Sequence, residues 1–169
     1  MNLLTPLRTR GLALALAVFA LDRGVKWLLA GPMALAERGP FPILPIYAFR
    51  YTENYGVSLG MFTATSPEMR YGLIGVTAAI AIGVLIWLLR EKAWGEICGL
   101  ALILGGAMGN IWDRVFSGFV VDYADLHFGE WRPFLIFNLA DAAITCGVLI
   151  LLARSLLLRE KPATSGQGA

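Results

Sequence analysis

Apolar residues run along the chain in four long stretches, at about Gly11–Ala30, Tyr71–Leu89, Glu96–Phe116 and Phe134–Leu157, and polar residues and prolines gather between them. A helix needs about 20 apolar residues to cross a hydrocarbon core of roughly 30 Å, so each stretch is long enough to span. The pattern predicts an all-α membrane protein: a four-transmembrane-helix bundle forming one integral-membrane domain over residues 1–169. Segments 31–70 and 117–133 fall on one surface, and residues 158–169 form a tail on the other. One segment, Phe41–Phe62, breaks the helical pattern. Pro42 and Pro45 forbid a regular helix at its start. Ile46–Thr52 is aromatic and β-branched and runs into the turn-like Asn54-Tyr55-Gly56. This reads as a small β-element and loop at the outer membrane surface, where aromatic rings have one end apolar and one end wet. Gly56 and Gly60, set among Tyr51, Tyr55, Leu59, Met61 and Phe62, suit a lid; a passive anchoring loop is the plainer alternative.

Composition supports the lipid-facing reading. Of 169 residues, 57% are hydrophobic and only 15% charged, with a mean hydropathy of +0.67, against roughly 25% charged in a soluble domain. Arg8 and Arg10 ahead of LALALAVFAL, with ALA at 34–36, also resemble a cleavable secretory signal. Asp22, Arg23 and Lys26 inside the second half of that stretch argue for a retained helix whose outer end faces a polar cavity. Arg8, Arg10, Arg90, Lys92, Arg154, Arg159 and Lys161 all fall on one side if the spans alternate, which makes that side cytoplasmic and puts both termini there. A net charge of +2, divided between the two surfaces, gives no basis for nucleic-acid binding.

Several chemistries find no support in the motifs. Cys98 and Cys146 lie inside expected helices without CxxC spacing and read as small buried apolar residues. His127 has no HExxH context, so no metal site and no cofactor is expected. Ser58, Ser66 and Ser117 have no GxSxG and no base beside them. The polar residues inside apolar stretches say more. In GGAMGNIWDRVF, Asn110, Asp113 and Arg114 are spaced to share one face of the last turns, above a small-residue face of Gly105, Gly106 and Gly109. Asp113-Arg114 also reads as a simple interfacial charge pair. Asn138 and Asp141 repeat the i,i+3 spacing on the fourth stretch, and Asp122 follows Val120-Val121 just after the third. Asp122 and Asp141 can therefore converge at one membrane boundary as a dyad in which one carboxyl keeps its proton and the other activates water. Two unrelated interfacial aspartates remain the alternative.

At these residues the chain resembles the bacterial lipoprotein signal peptidases (signal peptidase II). The likeness rests on DRGVK at 22–26, NYGVSLGMF at 54–62, GGAMGNIWDR at 105–114, GFVVDYADLHF at 118–128 and FNLADAAI at 137–144. It implies an aspartic endopeptidase of the bacterial inner membrane, with Asp122 and Asp141 catalytic and the active site toward the outer face. Asn54, Gly56, Asn110, Arg114 and Asn138 would line or brace the site, with Asp22 and Lys26 supporting it from the first helix and Asp113 among the supporting residues. The implied substrates are diacylglyceryl-modified prolipoproteins, cut immediately before the lipidated cysteine. Membrane lipid, cyclic peptide inhibitors of the globomycin type and a monomeric state are implied as well. The chain departs from the family pattern at Arg23, Val25, Val57–Leu59 and Ala142, where glutamine, a small hydroxyl residue, Ala-Ala-Phe and serine are usual. Two rival readings use the same residues differently: a small proton-coupled transporter relaying through Asp141 or Asp22, and a non-catalytic assembly subunit that needs neither dyad aspartate.

Overall fold

Thr5 and Pro6 start the first helix. The Thr5 hydroxyl accepts the Arg8 N–H, and Pro6 sits in the first turn, where its missing N–H costs nothing. The computed structural model describes residues 4–57, 62–63 and 67–157, so Ser58, Leu59, Gly60, Met61, Ser66 and the tail bearing Arg159 and Lys161 lie outside the described residues. The elements in chain order are α1 (Pro6–Ala30), α2 (Leu35–Arg38), β1 (Phe41–Leu44), β2 (Tyr47–Asn54), β3 (Gly56–Val57), β4 (Phe62–Thr63), α3 (Pro67–Arg90), α4 (Trp94–Phe116), β5 (Val120–Leu126) and α5 (Leu139–Leu157).

Four long helices make the body, with α4 packed against α1, α3 and α5. Leu88, Ile97, Leu100 and Ala101 are fully buried at its core. On α1 the buried residues Gly11, Ala15, Val18, Asp22, Lys26 and Leu29 form a single stripe at helical spacing. The charges at 22 and 26 thus point into the bundle along with Ala15 and Val18. Close approach depends on the α4 glycines. A Cβ on Gly106 would strike the Ala140 carbonyl oxygen, and one on Gly109 would lie 2.5 Å from Asp22 Oδ2. Bare backbone there lets α5 and α1 lie directly against α4.

Among the described residues, three helices are long and apolar enough to cross a membrane: Glu68–Arg90, Trp94–Phe116 and Leu139–Leu157. The fourth expected span, α1, has the length, but its charged residues keep it outside that apolar set. One end of the bundle gathers the start of α1, the end of α3, the start of α4 and the end of α5. Arg8 Nε donates to the Glu91 carbonyl at 2.9 Å, and Arg154 Nε lies 3.7 Å from Glu96 Oε1.

The opposite end carries an antiparallel sheet in the order β1-β2-β5. Strand β2 contains the expected β-segment, and its second neighbour is β5, a strand that lies within the expected surface segment 117–133. Helix α5 begins at Leu139, later than the expected Phe134, because the Phe137 backbone pairs with Ala124 at 2.8 and 3.2 Å before the helix can start. The cysteine expectation is also corrected. Both are free thiols, Cys98 is only partly covered and Cys146 is exposed, because each lies off the buried stripe of its helix.

Candidate active site

Strand β5 is buried along Val120–Asp125 and delivers Asp122 to the top of the bundle at 2% exposure. Its neighbour β2 is registered so that Thr52 faces Asp122 and Asn54 faces Val120. From that position Asn54 Nδ2 donates to Asp122 Oδ2 at 3.0 Å, while Asn54 Oδ1 accepts the Gly56 N–H at 3.1 Å. The second bond is a side-chain turn that fixes which end of the amide faces the carboxylate. Gly56 therefore acts through its backbone.

Asp141 is placed by the start of α5. Asn138 Oδ1 accepts the Asp141 N–H at 2.9 Å, and Asp141 Oδ2 accepts the Asn138 N–H at 3.2 Å. This is a reciprocal capping box with Asn and Asp in the two capping positions. The Asn138 amide nitrogen then reaches Asp122 Oδ1 at 2.6 Å, so one side chain ties both aspartates together. Asn110 Nδ2 donates to Asp141 Oδ1 at 2.8 Å. Tyr123, which the sequence reading did not single out, braces the same turn by accepting the Leu139 N–H on its hydroxyl at 3.1 Å.

Both carboxylates open on one cavity of about 380 Å³, lined also by Asn54, Gly56, Thr77 and Arg114. Thr77 was missed too. Its signal was being the one hydroxyl in the apolar run 72–89. Arg114 Nη1 donates to the Asn110 carbonyl at 3.4 Å, while its buried Nε has no hydrogen-bond partner among the described residues. Burial, and then the charge of Asp141, push the Asp122 carboxyl up to about 6. A second, apolar groove of about 360 Å³ adjoins, lined by Phe134, Phe137, Ala142, Thr145 and Cys146 together with Asp141.

Asp113 is not half of an interfacial pair with Arg114. It is 1% exposed and ion-paired with Lys26 at 2.7 Å and with Arg23. Asp22, also buried, lies 2.8 Å from the same Lys26 nitrogen. His127 lies apart from the dyad cavity, 3.9 Å from Asp125, a buried carboxylate that also holds Arg50 and Arg132 at 3.0 Å each. No group of three or more His, Cys, Asp or Glu side chains suited to a metal ion occurs among the described residues. Of the expected lid over Tyr51–Phe62, residues 51–57 and Phe62 are described, and the Tyr55 ring leans on Phe119 with centroids 5.4 Å apart.

Residues 14–157 match the family model described as signal peptidase (SPase) II. The chain is 51% identical over 153 residues to the lipoprotein signal peptidase of Rhizorhabdus wittichii, covering 90% of this chain and 89% of that protein. It is 49% identical over 151 residues to that of Sphingopyxis alaskensis, covering 89% and 87%. A solved structure described as a bacterial membrane enzyme superposes with a TM-score of 0.75 at 25% identity, covering 90% of this chain and 95% of the other.

Proposed function

Given that the chain belongs to the signal peptidase II family and so acts on lipoprotein precursors, we propose that it is an aspartic endopeptidase with Asp122 and Asp141 as its catalytic pair. The observation that carries this is the meeting of the two carboxylates on one cavity, joined through the single amide of Asn138. With the family assigned, the proton-relay transporter and the non-catalytic subunit lose their support.

In this mechanism Asp122, with its raised proton affinity, holds the shared proton. Asp141, whose negative charge is solvated by the Asn110 amide and the first turn of α5, takes a proton from water as that water attacks the scissile carbonyl. Asp122 protonates the developing oxyanion; as the C–N bond breaks, the proton gained by Asp141 passes to the leaving amine and the gem-diol returns a proton to Asp122. Asn54 and Asn138 orient Asp122. Arg114, whose Nε has no hydrogen-bond partner among the described residues, faces the substrate carbonyls. The apolar groove beside Asp141 suits a hydrophobic part of a lipidated substrate. This explains why acids stand at the end of a lipid-facing bundle. A precursor held in the bilayer by a signal helix and acyl chains presents its scissile bond at the membrane surface, where water and carboxylates can meet.

The arrangement proposed is an inner-membrane monomer with α1 as a fourth span. Both termini lie on the cytoplasmic side with Arg8, Arg10, Arg90, Lys92 and Arg154, and the dyad lies at the outer face. The purified chain is expected to cut a diacylglyceryl-modified precursor immediately before its cysteine, with the product mass giving the cut, and to leave the unlipidated precursor intact. Excess chelator should not change the rate. Equal cleavage of both precursors, or loss restored by a divalent ion, would contradict the substrate or the dyad respectively.

A further inference from the structure

A second ionic cluster lies behind the dyad. Lys26 of α1 is 2% exposed, and its ammonium lies between Asp22 Oδ2 at 2.8 Å and Asp113 Oδ2 at 2.7 Å. Removing three charges from water is costly even when they pair, so what the two carboxylates hold becomes the question. Asp22 Oδ1 accepts the Ala140 N–H at 3.1 Å, and Asp113 Oδ2 accepts the Val121 N–H at 3.3 Å. Ala140 immediately precedes Asp141, and Val121 immediately precedes Asp122. Each arm of the cluster thus holds the backbone one residue ahead of a dyad aspartate.

A third arm ends on the dyad itself. Lys26 Nζ lies 3.4 Å from Asn110 Oδ1, so the cation fixes the amide with its NH₂ toward Asp141, where Nδ2 donates at 2.8 Å. Arg23 completes the cluster by pairing with Asp113, which gives two cations for two carboxylates. The absent Cβ of Gly109 leaves the room that the Asp22 carboxylate occupies.

We propose that Lys26 is the positioning residue of the active site: by clamping Asp22, Asp113 and Asn110 to one point on α1, it sets the separation and orientation of Asp122 and Asp141. This rests on the reading of that pair as catalytic. Lys26 is not among the residues lining the cavity, so it acts through the groups it holds. Packing alone does not call for a cation here, since a methionine fills nearly the same volume. What methionine cannot do is hold two carboxylates and one amide oxygen at once.

The test is Lys26→Met in the purified full chain, assayed on a lipidated precursor beside Asp122→Asn and Asp141→Asn. A displaced dyad should lower kcat by roughly 10²-fold with KM nearly unchanged. The limb of the pH profile that reports Asp122 should move to higher pH, because the lysine charge favours the ionised form of Asp122. The other charged groups set around the dyad are Arg114 from α4, close to both carboxylates, and Asp22 from α1 and Asp113 from α4, which hold the backbone ahead of them; none of them is substituted in this variant. Wild-type kcat and pH profile in Lys26→Met, with both aspartate variants inactive, would overturn the positioning role alone. Active aspartate variants would instead remove the reading beneath it. If Lys26→Met fails to fold, Lys26→Gln, which cannot hold two carboxylates and an amide oxygen at once, carries the test: a lowered kcat with KM nearly unchanged supports the clamp, and wild-type kcat overturns it.

Discussion

At the residue scale, Asp122 carries opposing demands. It is buried and faces a second carboxylate, and both raise its proton affinity, while the Asn54 and Asn138 amides favour its ionised form. The balance lies near 6, above the ordinary carboxylate range. The kcat/KM profile should accordingly be bell-shaped, with its two apparent constants belonging to the pair and one of them near 6. Stability should report the same group. A carboxyl with a raised folded value binds its proton more tightly when folded, so its contribution grows as pH falls through about 6 and becomes a penalty above it. Asp122→Asn removes that penalty. Its thermal midpoint should exceed the wild type's at neutral pH, and the gap should narrow as pH falls below about 6 and close near the ordinary carboxylate value of 3.8. A gap independent of pH would show that Asp122 does not titrate there.

At the element scale, the start of α5 does two tasks with one residue. Asn138 caps the helix and also presents an amide to Asp122, and substitution can separate the two. Asn138→Ala should cost about 1 kcal/mol through the lost cap. Asn138→Ser keeps a cap acceptor and should restore that stability, yet without the amide cleavage should stay roughly 10- to 100-fold down. Recovery of activity by serine would reduce Asn138 to a helix cap. The helices themselves were legible as apolar runs, because lipid-facing surfaces demand unbroken hydrophobicity. Strand β5 was not. Its partner β2 lies far away in sequence, and VVDYADL carries no local sign of which strand it will join. The i,i+3 spacing of Asn138 and Asp141 correctly placed them on one face, but the later helix start turned that spacing into a cap. Asp113 misled for a similar reason. Next to Arg114 it looked like a local ion pair, and only the packing of α1 against α4 reveals Lys26 and Arg23 as its partners.

At the scale of the whole molecule, polarity is sorted by depth. Arg8, Arg90 and Arg154 gather at one end, apolar helices fill the middle, and the sheet with the buried Asp122 and Asn138 closes the other. The long helices give the site a rigid floor through Asp22, Lys26 and Asn110, and the sheet supplies Asp122 from above. Such a division suits hydrolysis at a lipid boundary, since the lipid-facing surface stays apolar while the acids remain inside. The most direct test is turnover of a lipidated precursor by the purified protein carrying Asp122→Asn or Asp141→Asn, each first shown to fold. Either change should remove roughly 10²- to 10⁴-fold of the rate, as loss of an acid–base group does, with precursor binding retained. Wild-type turnover in either variant would contradict the catalytic pair.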